Sequence, residues 1–261
     1  PPLPQSPAAR ARLGKGPQMG DAFGALLLAH LESGAGTGKV LEFVERDDGY
    51  LDAGDAGRYF AAPESWDAID HWACDRAQGR ILDVGSGAGR HSLYLQETGR
   101  DVTALDVSPL AAEVCRRRGV REVVTGTVFD LAQRGAGPFD SFLLLGNNLG
   151  LLGGAAHAPR VLAAFQAIAT PEARIIAQST NPYETQNPLH LGYHQRNRSL
   201  GRMAGQIRMR IRHQNLATAW FDYLFASVEE LETLLAGSGW RLQEHQVAGP
   251  RYVAVLVRGS A

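Results

Sequence analysis

Between Arg80 and Leu95 the sequence reads "RILDVGSGAGRHSLYL", with three glycines at alternate positions after an apolar run. Glycine at that spacing leaves the backbone bare where a strand turns into a helix, the place at which parallel sheets bind ligands. A dinucleotide turn spaces its glycines G-x-G-x-x-G. Here position 90 is Arg, and the pattern from Asp83 is D-x-G-x-G-x-G, made by Gly85, Gly87 and Gly89 with Ser86 between the first two. Asp83 repels a pyrophosphate and attracts an ammonium. About twenty residues beyond the first glycine, "ALDVS" brings Asp106 and then Val107 to a strand end, where a carboxylate accepts hydrogen bonds from two ribose hydroxyls. A ligand with a ribose and an ammonium but no phosphate satisfies all of these residues.

The elements that must position them follow from periodicity. Apolar runs at Ile81–Val84, Val102–Val107, Glu122–Thr125, Phe139–Gly146 and Arg174–Thr180 alternate with helical patterns beginning near Arg90, Pro109 and Pro159. Strands alternating with helices imply right-handed crossovers and a mostly parallel sheet covered on both faces. Tyr252–Gly259 supplies a last buried strand, after a helix Val228–Ala236 announced by the capping pair Ser227 and Glu230. The expected architecture is α/β, a Rossmann-like seven-stranded sheet with an N-terminal helical segment and a small antiparallel cap. Its expected divisions are a flexible tail at 1–20, the N-terminal segment at 21–79, and the main domain at 80–261 with the cap inserted at about 181–226. Within the cap, "QIRMRIRH" alternates Ile207, Met209 and Ile211 with Arg208, Arg210 and Arg212. That is a half-buried strand, and "TAWFDYLFAS" can pair with it as a hairpin.

"ILDVGSGAGR", "VTALDVSP" and "GPFDSFLLLGNNLG" together resemble the class I, Rossmann-like methyltransferases that use S-adenosylmethionine, over roughly Arg80 to Ser179. The resemblance implies S-adenosyl-L-methionine as cofactor and S-adenosyl-L-homocysteine as product. It implies that Gly85, Ser86, Gly87 and Gly89 cradle the methionine and ribose portion, that Asp106 with Val107 holds the ribose, and that Asp83 contacts the amino group. Val128 and Phe129 are then a wall for the adenine, with Asp130 beside them, although Thr127 stands where the family commonly has Asp. Asn147 follows the fourth strand, close to the reactive sulfonium. Tyr59 and Trp66 are placed to reach the cofactor from the N-terminal segment, and His157, His194 and Tyr223 are candidates for positioning the acceptor. His157, in the loop after the fourth strand, is also the candidate general base, needed only if the acceptor must lose a proton.

Other signals read as structure. "SGAGTGKV" (Ser33 to Val40) lacks the first glycine and the final Ser/Thr of a phosphate loop and reads as a loop. "TNPYE" follows the fifth strand where amino methyltransferases acting on nucleic acid carry such a motif after the fourth, so Asn181-Pro182 reads as a turn. The eight histidines show no metal spacing. Six arginines and no acid lie between Thr185 and Phe221, read either as a solvated face or as an anion-binding lid.

With 261 residues, 44% of them apolar, the chain can bury a full core, and a net charge of -1 gives no global attraction to nucleic acid. Two cysteines and no long apolar run point to a reduced, cytoplasmic setting without a membrane span. The expected activity is methyl transfer to an N or O atom of a small molecule or short peptide, an anionic one if the arginines form a lid, in secondary metabolism. The alternatives are an RNA methyltransferase and a non-catalytic cofactor-binding partner subunit; a nicotinamide oxidoreductase is disfavoured by Arg90.

Overall fold

The computed structural model of the protein describes residues 16–34 and 38–259. In chain order the first elements are β1 (Gln18–Met19), α1 (Ala22–Ser33), β2 (Leu41–Arg46), β3 (Leu51–Asp55) and α2 (Ala68–Asp75). The alternating region follows as β4 (Arg80–Val84), α3 (Arg90–Glu97), β5 (Asp101–Asp106), α4 (Pro109–Arg117), β6 (Glu122–Thr125), α5 (Val128–Gln133), β7 (Phe139–Leu144), α6 (Ala158–Ala167) and β8 (Ala169–Thr180). Then come α7 (Pro188–Ser199), β9 (Gln206–His213), β10 (Leu216–Ala217), β11 (Phe221–Leu224), α8 (Val228–Leu235), β12 (Trp240–Ala248) and β13 (Arg251–Arg258).

Seven strands form one sheet in the order β12-β13-β8-β7-β4-β5-β6. The five from β8 to β6 run parallel, and β13 and β12 close the edge antiparallel. Ile81, Leu82 and Val84 of β4 are buried, as a central strand covered on both faces requires. After β4 the chain steps outward to β5 and β6, then returns to the other side of β4 with β7. The carboxyl ends of β4 and β7 therefore part, and the loops behind them flank a crevice at the sheet's switch point.

The cap is a second sheet, β1-β10-β9-β2-β3, with β11 also paired to β9. Here the structure adds to the expected N-terminal helical segment: besides α1 and α2 it carries β2 and β3, and β2 lies antiparallel on β9 from Phe43↔Arg212 to Arg46↔Met209. The expected tail is ordered from residue 16, because Gln18–Met19 pairs with Leu216–Ala217; its first 15 positions lie outside the described residues. Of "SGAGTGKV", residues 35–37 are likewise outside them, and the Gly38 N–H donates to Asp55 (2.7 Å). No helix among the described residues is long and apolar enough to cross a membrane.

Helix α1 joins the two sheets. Asp21 caps it by accepting the Gly24 N–H (2.9 Å), and the same carboxylate accepts the Ser108 hydroxyl (2.7 Å) and the Leu110 N–H (3.2 Å) at the start of α4. Gly24 permits this approach: a Cβ there would lie 2.2 Å from Ser108 Oγ and 2.6 Å from Leu110 Cβ. On an exposed helix Gly→Ala stabilises by about 1 kcal/mol. Gly24→Ala should instead destabilise, by about 1 to 3 kcal/mol, as overpacking does. Denaturant unfolding checks the sign, and a more stable variant would show that α1 is not pressed against α4.

Candidate cofactor and acceptor site

At the end of β4, Gly85, Gly87 and Gly89 have φ of 70°, 56° and 75°, in the left-handed region that glycine enters without cost. The N–H groups of Gly85 and Ser86 both donate to Leu105 O, at 2.8 and 3.1 Å, fastening the loop to β5. The Ser86 hydroxyl lies 3.7 Å from Cys115 Sγ. The three glycines do different things. A Cβ on Gly89 would sit 2.9 Å from Val120 Cγ2 and 3.0 Å from Cys115 Sγ, so this position is small in order to pack the loop on α4. On Gly87 it would meet only Phe23 and Tyr59, at 3.6 and 3.8 Å, which makes Gly87 the glycine turned toward the cap.

Asp106 closes the loop from below. Its Oδ2 accepts the Gly87 N–H and its Oδ1 the Ser108 N–H, each at 2.9 Å, and the residue is 5% exposed. Burial pushes its carboxyl up to about 6, with the two N–H donors pulling the other way. Each oxygen keeps a second lone pair, the acceptors that two ribose hydroxyls need. Val107 beside it is 67% exposed, apolar surface at the crevice. The donors and acceptors present thus fit a ribose above Asp106.

Several expected contacts lie elsewhere. Asp83 accepts the Ser92 hydroxyl (2.6 Å) and is 2% exposed, so its carboxylate serves the start of α3 and is not presented to a ligand. Burial raises its titration, and His91 and Ser92 oppose that. Asp130 is held by Thr127, whose N–H and hydroxyl both donate to its Oδ2 at 2.7 Å, in a capping box of α5. That use explains Thr127: it is a helix cap, and Asp130 is its partner. Val128 is buried and Phe129 partly so. The Phe129 ring is 5.9 Å from that of His157, which is exposed at the start of α6. His157 therefore stands with Phe129 at the start of α6. Trp66 packs against His71, His91 and Tyr94, with the Arg90 guanidinium 5.4 Å over its ring, in a cluster separate from that of Phe23 and Tyr59. His194, on α7, is buried beside Tyr183 (ring centroids 6.4 Å), and burial depresses its titration.

Behind β7 the positions converge. Asn147 takes a left-handed φ of 69°. Its N–H and that of Gly146 donate to Gln178, at 3.2 and 2.7 Å, and its Oδ1 accepts the Thr180 hydroxyl at 3.0 Å. Tyr223, reaching in from β11, donates its hydroxyl to Asn147 O (2.7 Å) and lies 3.1 Å from Asn148 Oδ1. Asn148 in turn donates to the carbonyls of Val84 and Gly85, both at 3.0 Å. Tyr59 hangs over Gly87 from the other side and donates its hydroxyl to Glu42 (3.0 and 3.1 Å). Glu42, 2% exposed on the inner face of β2, also pairs with Arg58. Burial raises the Glu42 titration, and Arg58 and Tyr59 oppose it. Of the residues gathered here, Tyr59, Asn147 and Tyr223 were expected from the sequence, and Phe23, Glu42 and Asn148 were not. The second asparagine of "GNN" was the available signal for Asn148; nothing local marks Glu42.

The comparisons with known proteins bear on the fold and the domain family. Residues 81–172 match the family model of a methyltransferase domain. A solved S-adenosylmethionine-dependent methyltransferase from Bacteroides fragilis, in complex with S-adenosyl-L-homocysteine, superposes with a TM-score of 0.77 at 25% identity, covering 92% of this chain and 95% of that one. One from Methanosarcina mazei gives 0.56 at 16% identity over 74% of this chain and 98% of its own. A ubiquinone biosynthesis O-methyltransferase of Xanthomonas oryzae is 38% identical over 72 residues, 26% of this chain; the match spans only 30% of that relative. Residues 81–172 thus carry a methyltransferase domain, on a Rossmann-like fold that the chain shares with S-adenosylmethionine-dependent methyltransferases.

Proposed function

We propose that the protein transfers a methyl group from S-adenosylmethionine to an N or O atom of a small, largely uncharged molecule held between the glycine loop and the inner face of the cap sheet. The observation that carries the choice of acceptor is the two-residue alternation of β9. Met209 and Ile211 are buried, with Ile207, Phe221 and Tyr223 packed alongside, in a cluster that also contains Ala88 of the glycine loop and Phe23. Arg208, Arg210 and Arg212 point the other way. On that outer face Arg210 and Arg212 reach Glu45 of β2 at 2.8 and 3.3 Å, Arg208 reaches Asp222 at 3.5 Å, and Arg210 covers the Trp220 ring at 4.6 Å. The acids that balance this stretch come from neighbouring strands, not from Glu229, Glu230 and Glu232 of α8. The outward arginines remove the main argument for an anionic acceptor and for RNA, and the apolar inner face favours a small molecule over a peptide. A solved Burkholderia thailandensis N1-methyltransferase of similar fold (TM-score 0.51, 20% identity) binds a small heterocycle, 1,6-didemethyltoxoflavin, with S-adenosylhomocysteine. Secondary metabolism is a setting consistent with that kind of acceptor.

Bound cofactor supplies a methyl group on a sulfonium, an electrophile that reacts by in-line displacement. What this chain must do is align the acceptor and exclude water. Asp106 holds the ribose; Val107, Val128 and Phe129 receive the adenine; Phe23 and Tyr59 cover the loop. Tyr223 and Asn147, joined by a hydrogen bond at the end of β7, face the acceptor. Glu42, deeply buried and joined to Tyr59, is a carboxylate on the inner face of the cap.

Asp106→Ala should cost about 1.5 to 3 kcal/mol in S-adenosylmethionine binding, the range for hydrogen bonds to a charged group. Calorimetry showing wild-type affinity would contradict the ribose assignment. In the wild type, affinity should fall as the pH is lowered through about 6, where the Asp106 carboxyl takes up its proton and loses acceptor capacity; binding that is flat across that range would sink the same assignment. Arg210→Gln should leave cofactor binding and the Michaelis constant for a neutral acceptor unchanged and cost less than about 1 kcal/mol of stability, as a partly exposed ion pair does. A raised Michaelis constant would restore the anion-binding lid.

A further inference from the structure

The carboxamide of Asn148 sits where the backbone of the first glycine is most accessible. Both of its N–H groups are used, on Val84 O and Gly85 O at 3.0 Å. A Cβ on Gly85 would lie 2.5 Å from Asn148 Nδ2, so the amide is pressed against the glycine itself. Its orientation is fixed by chemistry, because a flipped amide would set its oxygen against two carbonyl oxygens. Its Oδ1 lies 3.1 Å from the Tyr223 hydroxyl. Tyr223 is in turn admitted by Gly150, where a Cβ would fall 2.2 Å from its ring. A continuous path of contacts thus runs from the cap strand β11, through Tyr223 and Asn148, to the first glycine of the loop.

The ammonium of an S-adenosyl compound is a three-donor cation and needs acceptors at this corner. Asp83 is enclosed and bonded to Ser92; the carbonyls of Val84 and Gly85 are acceptors at the mouth of the loop, and Asn148 engages both. On the reading that the cofactor lies over Gly85–Gly89, we propose that Asn148 is a positioning residue that occupies the ammonium subsite, and that the arriving ammonium displaces it and turns its carboxamide, with the Tyr223 hydroxyl, toward the acceptor. Cofactor binding and assembly of the acceptor side are then one event: the charge that completes the first subsite releases the groups that build the second. A carboxamide suits the task because it imitates an ammonium with two donors and carries no charge to be stranded when displaced.

The test compares two ligands that differ in the ammonium. S-adenosylhomocysteine carries it, while 5′-methylthioadenosine has the same nucleoside and thioether without the amino acid. In Asn148→Ala the competing donors are gone, and S-adenosylhomocysteine should bind about tenfold more tightly, equivalent to about 1.4 kcal/mol, with methylthioadenosine unchanged. Tyr223→Phe, which keeps the ring and removes the hydroxyl, should shift the same ligand in the same direction by about threefold, since one restraint on the carboxamide is lost. A purely structural role for Asn148 would move both ligands together, and that outcome, or weaker S-adenosylhomocysteine binding, overturns the proposal. Unchanged S-adenosylhomocysteine affinity in Tyr223→Phe overturns the coupling to the cap. Failure of the wild type to bind either ligand would instead refute the underlying cofactor reading, so the two failures are distinguishable.

Discussion

The Asp106 carboxylate is the interaction on which the site depends. Buried at the end of β5, it accepts the N–H of Gly87 from one side and of Ser108 from the other, at 2.9 Å each. The first bond sets the left-handed loop after β4; the second sets the start of α4. Ser108 passes the constraint on, because its hydroxyl reaches Asp21, the cap of α1, which presents Phe23 over Gly87. One buried charge thereby orders the loop, the adjoining helix and the first element of the cap. Burying a carboxylate is costly unless its lone pairs are filled, and here backbone donors fill part of them while leaving acceptors toward the crevice.

The second constraint is the division of the cap sheet into two faces. Its strands come from both sides of the main domain, β2 and β3 from before it and β9 to β11 from after β8, so the crevice is closed by segments that meet only in the folded state. The inner face is largely apolar, with Asp52 beside Val44 at its β3 side and two enclosed charged groups. Glu42 is tied to Arg58 and Tyr59, and Arg46, 6% exposed, is tied to Asp48 at 2.7 Å. The outer face carries the arginines and their acids. A cap of this kind turns apolar and aromatic surface toward the glycine loop and the three β9 arginines away from it, while the inner-face cations Arg46 and Arg58 are held in ion pairs with Asp48 and Glu42.

The main sheet was legible because its information is local: alternating periods, a glycine loop after β4, a serine cap before Pro109 and a capping pair at Ser227 and Glu230 are each read within a few residues. The cap was legible only in part. The alternation of β9 announced a half-buried strand, but nothing in "LEFVER" announces that it pairs with that strand, and Arg210 finds Glu45 across 165 positions of sequence. The same distance limits the site. Asp106 and the glycines stand out by spacing, whereas Gly89 serves packing against Val120 and Cys115, which no spacing reveals. The Thr127–Asp130 capping box, the packing of Trp66 among His71, His91 and Tyr94, and the Phe129–His157 contact are likewise set by the fold and not by spacing.

The most direct measurement is a crystal structure of the protein grown with S-adenosylhomocysteine. The account predicts both ribose hydroxyls within hydrogen-bond distance of the Asp106 carboxylate, the adenine against Val107 and Phe129, and the amino-acid end at the Val84 and Gly85 carbonyls. Ligand bound with its ribose away from Asp106, or outside the crevice between β4 and β7, would contradict it.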